Sequence, residues 1–229
     1  NMKDYVIAPP AQVVAPVVNS DSVFPVRRIY CIGRNYADHA VEMGHDPDRE
    51  PPFFFQKNPD NLDFSGTFTY PEKSNDVHYE MELVIAIGKG GKNISLDNAV
   101  EHVYGYALGL DMTRRDLQSN MKKMGRPWEI GKAFEKSAPM GPIIPASDLG
   151  HPTEGLIDLK VNGLLKQKGN LNQMIWKTAE MINYLSEYYE LAAGDLIMSG
   201  TPAGVGPIVK GDVMTGSVAG MGALIVTVV

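Results

Sequence analysis

The sequence has 229 residues, of which 44% are hydrophobic and 21% charged, and its formal net charge is -6 at pH 7. A chain of this length and apolar content can fill one continuous core. The negative charge argues against binding to nucleic acid or to an anionic membrane, because both require a basic surface. No apolar run approaches the roughly 18 residues that a membrane-spanning helix needs. We therefore expect no nucleic-acid or membrane partner, and a small molecule as the ligand.

Cysteine content and the first residues bear on the compartment. Cys31 is the one cysteine of the sequence, so no disulfide can form within the chain. This is typical of proteins from a reducing compartment. The first residues also lack the apolar core of a signal peptide. We expect a cytoplasmic protein.

The 23 glycines and 16 prolines divide the chain into many short segments. Residues 1–22 are predicted to form an extended arm, and residues 23–229 a single domain. Runs of β-branched or aromatic residues predict strands, and apolar residues at helical spacing predict helices. In chain order these are a strand at 26–31, a helix at 36–43, strands at 53–56 and 80–87, a helix at 96–102 behind a Ser95 cap, a strand at 104–111, a helix at 114–124, a strand at 156–161 before an Asn162-Gly163 turn, a helix at 178–190, and strands at 196–199, 213–218 and 223–229.

Strands outnumber helices in this pattern, which predicts an α+β fold with several sheets. Thr113 and Asp116 have the spacing of a capping box at the start of the helix at 114–124. The helix at 178–190 is expected to pack on a sheet through one face, formed by Met181, Ile182, Leu185, Tyr188 and Tyr189. The polar, proline-broken segment at 44–52 is the best candidate for a mobile loop or lid.

Three acidic residues lie at the ends of apolar strands. Glu80 and Glu82 open the strand at 80–87, and their carboxylates converge because residues i and i+2 of a strand share a face. Asp111 ends the strand at 104–111 and supplies a third oxygen ligand. Adjacent carboxylates in a poorly solvated place repel each other unless a cation lies between them. Without a nearby Cys or His pair, the set favours Mg²⁺, with Mn²⁺ or Ca²⁺ as alternatives, over Zn²⁺.

A simpler interpretation of the same residues remains open on spacing alone. In it, Glu80 and Glu82 lie on a solvated strand edge, and Asp111 caps the helix that follows. The pattern of two glutamates two residues apart is common, so the surrounding motifs have to decide between the two interpretations.

Six motifs follow one another in an order that resembles the fumarylacetoacetate hydrolase family. They are GRNYADHAVEMG, HxExE, LDMTRRDLQ, GKAF, VNG and GTPAGVG, and the resemblance runs from about residue 24 to the C-terminus. Residues 24–55 are most similar to the acylpyruvases and bacterial fumarylpyruvate hydrolases of that family. The resemblance implies a mixed β-sandwich roll of the family's C-terminal-domain type, one magnesium ion and a homodimer.

Residue roles follow from the same resemblance. The family's metal ligands match Glu80, Glu82 and Asp111, which agrees with the strand geometry above. Its His and Glu dyad, which activates water when a lid closes, matches His39 and Glu42. These two are three residues apart, a spacing that brings side chains together on a helix. Judged without the family, they would be an ordinary exposed pair.

The resemblance also supplies a catalytic lysine and a set of substrate contacts. Lys132, in GKAF, would stabilise a developing enolate or oxyanion. The positions near the substrate in relatives match Arg34, Arg115, Gln118 and Thr201. Lys57 is a further cationic candidate beside Arg34 and Arg115 for reading a second substrate carboxylate. The turn GTPAGVG lacks the GK[ST] ending of a phosphate loop, so nucleotide binding is a poor interpretation.

The implied activity is Mg²⁺-dependent hydrolysis of a carbon–carbon bond in an acylpyruvate, a 2,4-dioxo acid. Fumarylpyruvate, cleaved to fumarate and pyruvate as in gentisate-type aromatic degradation, is the expected substrate. Oxaloacetate decarboxylation and 2-hydroxymuconate-type isomerisation or tautomerisation use the same metal-held enolate and remain alternatives. An alternative of another class is a non-catalytic metal-binding β-protein, which would not need a His and Glu pair beside a mobile segment.

Overall fold

The computed structural model describes residues 3–38 and 51–229. The strands of this part of the chain are, in order, β1 (Val14–Pro16), β2 (Val23–Pro25), β3 (Ile29–Gly33), β4 (Phe53–Lys57), β5 (Leu62–Asp63), β6 (Thr67–Phe68), β7 (Val77–Tyr79), β8 (Met81–Ile87), β9 (Val103–Leu110), β10 (Thr113–Arg114), β11 (Ala138–Pro139), β12 (Ile144–Pro145), β13 (Leu156–Val161), β14 (Leu164–Asn170), β15 (Leu196–Met198), β16 (Gly206–Pro207), β17 (Val213–Val218) and β18 (Ala223–Val228).

Helices are few and short. The α-helices are α1 (Arg115–Met124), α2 (Glu129–Lys132), α3 (Ala146–Leu149) and α4 (Thr178–Tyr188), and 3₁₀ helices occur at Pro59–Asn61, Leu96–His102 and Leu171–Gln173. None of the helices in the described ranges is long and apolar enough to cross a membrane. The predicted α+β class, dominated by strands, is confirmed. The remainder of the predicted helix at 36–43, from residue 39 on, and most of the predicted lid at 44–52 lie outside the described residues.

A six-stranded mixed sheet forms the centre of the fold, in the order β12-β9-β8-β15-β3-β4. All seven residues of β8 are buried, as its apolar sequence MELVIAI requires of a strand covered on both faces. β8 and β9 pair antiparallel with Glu82 opposite Gly109. The edge strand β4 pairs with β3, which places Phe53 opposite Gly33 and Phe55 opposite Cys31.

One face of the central sheet packs against a five-stranded sheet with the order β14-β13-β17-β18-β6. The core between them contains Leu83 and Ile85 from β8, Leu159 from β13 and Met214 from β17. Two mixed sheets packed face to face make the sandwich. The predicted hairpin at Asn162-Gly163 is confirmed, because both residues have positive φ and join β13 to β14.

The opposite face of the central sheet is covered partly by the N-terminal residues. β1 pairs with β2, so part of the predicted arm is hydrogen-bonded to the domain. Ala15 and Val17 are buried in a second core cluster together with Cys31 and Val84. The predicted boundary between residues 22 and 23 therefore falls within a paired and packed region.

Three local predictions about helix ends and faces are wrong. The segment Leu96–His102 is a 3₁₀ helix, and the Ser95 side chain makes no capping bond. No Thr113–Asp116 capping box forms, because the Thr113 hydroxyl donates to the Asp111 carbonyl and the Asp116 carboxylate accepts from Ser74. On α4, Tyr188 is exposed, whereas three other predicted face residues, Met181, Ile182 and Leu185, are buried. At Asp116, a tertiary partner, Ser74, takes the place of the local capping bond.

A close approach between α1 and α2 fixes the position of Lys132. A Cβ atom at Gly131 would lie only 2.9 Å from the Gln118 backbone nitrogen. Gly131→Ala should therefore push α2 away from α1 and lower the free energy of unfolding by about 1–3 kcal/mol. Gly141→Ala is the control, because the nearest atom to its added Cβ is 3.8 Å away. Urea unfolding measures both, and equal stability of the two variants would contradict this packing argument.

Candidate active site

The three predicted metal ligands converge in the structure. Glu80, Glu82 and Asp111 each offer an oxygen atom, and these atoms lie within 4.8 Å of one another. Glu82 is opposite Gly109, and Asp111 follows Gly109 by two residues, so both carboxylates share one face of the central sheet. All three residues are at most 6% exposed. A solvated strand edge is therefore excluded as their environment.

Three cationic side chains surround two of these carboxylates. Lys132 Nζ lies 2.9 Å from Asp111 Oδ2 and 3.2 Å from Glu80 Oε1. Lys57 Nζ lies 2.8 Å from Asp111 Oδ1. Arg115 Nη2 lies 2.7 Å from Glu80 Oε2. Buried charges are costly unless they are paired. Each of these ion pairs is therefore needed to keep its two charged groups stable in the interior.

Glu82 is the least compensated member of the cluster. Burial raises the pKa of its carboxyl well above the usual range, and the nearby charges of Asp111 and Glu80 raise it further. Lys132 and the Gly200 N–H, which donates to Glu82 Oε1 at 2.8 Å, only partly offset this. The raised pKa of Glu82 therefore reflects its burial first and the two neighbouring carboxylates second.

Lys132 remains a cation in spite of its burial. Desolvation lowers the pKa of its ammonium group, but the charges of Asp111 and Glu80 raise it more, so the net shift is upward. Lys132 Nζ also donates a hydrogen bond to the Thr113 hydroxyl oxygen at 2.8 Å. A protonated lysine thus stands directly beside the carboxylates.

The donor set fits a hard divalent cation. Lys57 Nζ donates to the carbonyl oxygens of Met112 and Lys132. Asp111 Oδ1 is buried 2.8 Å from Lys57 Nζ, and it has no geometrically aligned hydrogen bond among the described residues. A buried carboxylate oxygen with a spare lone pair, beside the uncompensated Glu82, is what an oxygen-binding ion would use. Such an ion would also stabilise the ionised form of the buried Glu82. The residues present therefore fit Mg²⁺ or Mn²⁺.

The predicted substrate contacts lie around one cavity beside this cluster. Arg34, Arg115, Gln118 and Thr201 line it together with Lys132. The Thr201 hydroxyl donates to the Met81 carbonyl and accepts from Gln167, so it connects the two sheets. Gln118 Oε1 accepts from Arg115 at 2.8 Å. His39 and Glu42, the predicted dyad, lie outside the described residues.

Asn35 braces the chain just before that dyad. Its amide donates to the carbonyls of Ser199 and Trp176, and its oxygen accepts from the Trp176 N–H. The neighbouring Tyr36 is buried, and its hydroxyl has no hydrogen-bond partner among the described residues. Burial raises the pKa of the Tyr36 phenol, and the charge of Glu82 adds to the shift. Tyr36 therefore stays a neutral hydroxyl near the cluster.

Sequence reasoning did not identify every residue of the site. Phe53 and Phe55, which the sequence did not single out, line the cavity. Lys57, predicted as a contact for a second substrate carboxylate, lies on the same face of β4 and forms an ion pair with Asp111. Their alternate spacing along one strand is a signal that predicts a shared face. Trp128, Lys122 and Gln167 carry no such signal, because α1, the turn before α2 and β14 come together only in the folded chain.

Removing the negative charge of Glu82 tests the metal site. Glu82→Gln keeps the shape of the side chain and the acceptor for the Gly200 N–H, so the metal-free variant should melt no lower than the metal-free wild type. It should lose the rise in melting temperature that Mn²⁺ or Mg²⁺ gives the wild type by binding the native state. Thermal unfolding with added metal or with chelator measures this. Glu101→Gln, at an exposed position, is the control; a full metal-induced shift in Glu82→Gln would contradict ligation by this residue.

Comparison with known proteins agrees with this geometry. The Fumarylacetoacetate (FAA) hydrolase C-terminal family matches residues 28–229. The chain is 47% identical over 189 residues to fumarylpyruvate hydrolase of a Ralstonia species, covering 81% of this chain and 98% of that protein. It is 42% identical over 197 residues to the mitochondrial oxaloacetate decarboxylase of Dictyostelium discoideum, covering 85% and 90%.

A solved structure resembles the whole chain. The crystal structure of fumarylpyruvate hydrolase from Pseudomonas aeruginosa in complex with Mn²⁺ and pyruvate superposes with a TM-score of 0.97 at 53% identity, covering 99% of each chain. The predicted fold type, the C-terminal-domain fold of the family, is thereby confirmed. This chain belongs to the fumarylacetoacetate hydrolase family.

Proposed function

We propose that this protein is a Mg²⁺-dependent hydrolase that cleaves fumarylpyruvate to fumarate and pyruvate. The observation that carries the proposal is the buried set of Glu80, Glu82 and Asp111 beside the protonated Lys132, at the wall of a cavity. The similarity to fumarylpyruvate hydrolases over nearly the whole chain supports this substrate above others.

The charge balance of the cluster favours catalysis over simple metal storage. Glu80, Glu82 and Asp111, taken as ionised, carry three negative charges, and Lys57, Lys132 and Arg115 balance them. A site built only to retain a cation would gain affinity from excess negative charge, and cationic neighbours lower it. With a divalent ion added, the cluster becomes positive and suits an anionic ligand such as a dioxo acid. This supports an enzyme rather than a non-catalytic metal-binding protein.

We assign the metal to Glu80, Glu82 and Asp111. A bound divalent ion would supply Lewis acidity, polarising the oxo group of the pyruvyl end of the substrate. Gln118 and the backbone at Thr201 border the cavity and would hold the substrate in position. Arg115, through its contacts with Glu80 and Gln118, keeps one ligand and one substrate contact in place.

The chemical step needs a base and a stabiliser of negative charge. We assign the base to His39, oriented by Glu42, which takes a proton from water so that its oxygen bonds to the C4 carbonyl carbon. The C3–C4 bond then breaks, and its electron pair goes to the pyruvyl fragment as an enolate. The charge of Lys132 stabilises that enolate until C3 is protonated, which gives pyruvate.

The quaternary structure and compartment are part of the same proposal. We infer a cytoplasmic homodimer, on the strength of the sequence resemblance and of the lone, buried Cys31. Sedimentation equilibrium at micromolar concentration distinguishes a dimer from a monomer.

The substrate is tested by assaying fumarylpyruvate, acetylpyruvate and oxaloacetate side by side with Mg²⁺. Loss of the dioxo acid enol and appearance of pyruvate follow the reaction. We expect the highest kcat/KM with fumarylpyruvate. The relative named as an oxaloacetate decarboxylase makes oxaloacetate the second candidate, and faster turnover of oxaloacetate than of either acylpyruvate would replace the proposed function with that one.

The base is tested with His39→Ala. This variant should still bind Mg²⁺ and oxalate, a mimic of the pyruvate enolate, while kcat falls by about 10²- to 10⁴-fold, as is typical of general-base loss. Because the dyad acts as a unit, the double variant with Glu42→Ala should be little worse than His39→Ala alone. His45→Ala is the control within the same segment. Loss of oxalate binding in His39→Ala would mean that the residue is a ligand or a structural support.

A further inference from the structure

A row of hydrogen bonds runs from the half-exposed side chain of Asp76 to Glu80, one of the three metal-site carboxylates. Asp76 Oδ1 lies 2.8 Å from His78 Nε2. Arg115 Nε donates to His78 Nδ1 at 3.2 Å, and Arg115 Nη2 donates to Glu80 Oε2 at 2.7 Å. Asp76 and His78 do not line the cavity. Any effect that they have on the site therefore passes through Arg115.

Strand alternation and the start of α1 bring this row together. Asp76, His78 and Glu80 are two residues apart through β7 and its flanking residues, so their side chains lie on one side of the strand. β7 pairs with β10, which places His78 opposite Thr113. α1 begins two residues later, at Arg115, and the Arg115 backbone N–H donates to the Asp76 carbonyl at 2.8 Å. The side chain of the first residue of α1 thus extends along the row.

The partners of the imidazole define which nitrogen of His78 carries the proton. A guanidinium group is only a donor, so Nδ1 must accept from Arg115 with an unshared electron pair. A carboxylate is an acceptor, so Nε2 must donate its proton to Asp76. A ring protonated on both nitrogens would direct an N–H against the guanidinium group. His78 is therefore neutral, and Asp76 orients its ring as carboxylates orient the imidazoles of metal sites.

The guanidinium group of Arg115 transmits this orientation to the site. Its Nε, Nη1 and Nη2 donate to His78, Gln118 and Glu80 respectively. These nitrogens lie in one rigid plane, so the acceptor at Nε sets the directions of the other two donors. Arg115 is only 7% exposed. Without His78, its Nε–H would be a buried donor without a partner, and the group would gain by turning away from Glu80 and Gln118.

We propose that His78, oriented by Asp76, is a positioning residue that sets the affinity of the carboxylate cluster for its divalent cation. It acts through Arg115, which holds Glu80 Oε2 and leaves Oε1 on the side of Lys132. This role rests on the proposed function, because Glu80 is a ligand only if the cluster binds a metal. The role is new to the pair, since neither residue touches the ion or the substrate.

A purely structural role would be to fasten the turn before β7 to α1. That turn has separate contacts with the helix, because the Ser74 hydroxyl and the Asn75 N–H donate to the Asp116 carboxylate at 2.6 and 3.1 Å. Asp116→Ala removes both contacts and leaves the acceptor of the Arg115 guanidinium group in place. It is therefore the matched control for the fastening of this turn.

The test measures the Mn²⁺ affinity of the metal-free protein by calorimetric titration, together with its melting temperature. His78→Leu should lower the affinity by about 10- to 100-fold, the range for outer partners of metal ligands. His78→Asn should recover most of this loss, because the Asn side-chain oxygen can accept the Arg115 bond in place of Nδ1. Asp76→Ala should lose less than His78→Leu, since the acceptor remains. Asp116→Ala should melt lower than the wild type with unchanged affinity.

The tautomer gives a second readout that does not depend on the metal. In a ¹⁵N NMR spectrum of histidine-labelled, metal-free protein, the signals of His78 are those that His78→Asn lacks. They should show a proton on Nε2 and none on Nδ1. A proton on Nδ1 would overturn the proposal, because that nitrogen could not then accept from Arg115. Should His78→Leu fail to fold, this spectrum and the affinity of Asp76→Ala decide the matter.

Three affinity results would also overturn the proposal: an unchanged value in His78→Leu, an equal loss in His78→Leu and His78→Asn, or an equal loss in His78→Leu and Asp116→Ala. Failure of the proposed reaction looks different. The wild type would then bind Mn²⁺, with the expected order among the variants, but cleave no dioxo acid. A wild type that binds no Mn²⁺ would overturn both the metal site and the role of His78.

Discussion

The cluster of three carboxylates and three cations on one face of the central sheet is the constraint on which the rest of the site depends. Its members come from β4, the β7–β8 junction, the end of β9, α1 and α2, so five parts of the chain meet through charge. Each charge is tolerated in the interior only because its partners are present. Loss of one partner would leave an uncompensated buried charge. The positions of β4, which carries Lys57, and of α2, which carries Lys132, are therefore coupled to the position of the metal ligands.

The same cluster explains why the site suits chemistry on an anion. Its charges are nearly balanced without a metal, except at Glu82, where burial and like charges raise the pKa of the carboxyl. A divalent ion would relieve that imbalance and leave the cavity positive. Ligand binding, metal binding and the protonated state of Lys132 are thus linked through one local electrostatic balance.

Strand β4 shows how a single segment serves both packing and function. Phe53, Phe55 and Lys57 face the cavity and the acidic cluster, whereas Phe54 points the other way, toward Tyr184 and Tyr188 of α4. The alternation of a strand makes this division possible.

Local sequence was sufficient for the β-rich class, the β13–β14 hairpin and the convergence of Glu80 with Glu82, because strand alternation and turn chemistry are properties of neighbouring residues. It was not sufficient for the capping box at Thr113 and Asp116, because the Thr113 hydroxyl accepts from Lys132 and the Asp116 carboxylate accepts from Ser74. The pairing of Lys57 with Asp111 and the approach of Lys122 to Trp128 depend on contacts between segments far apart in the chain. Only the tertiary structure decided these, because sheet order and helix packing determine which distant side chains meet, and no local pattern encodes that distance.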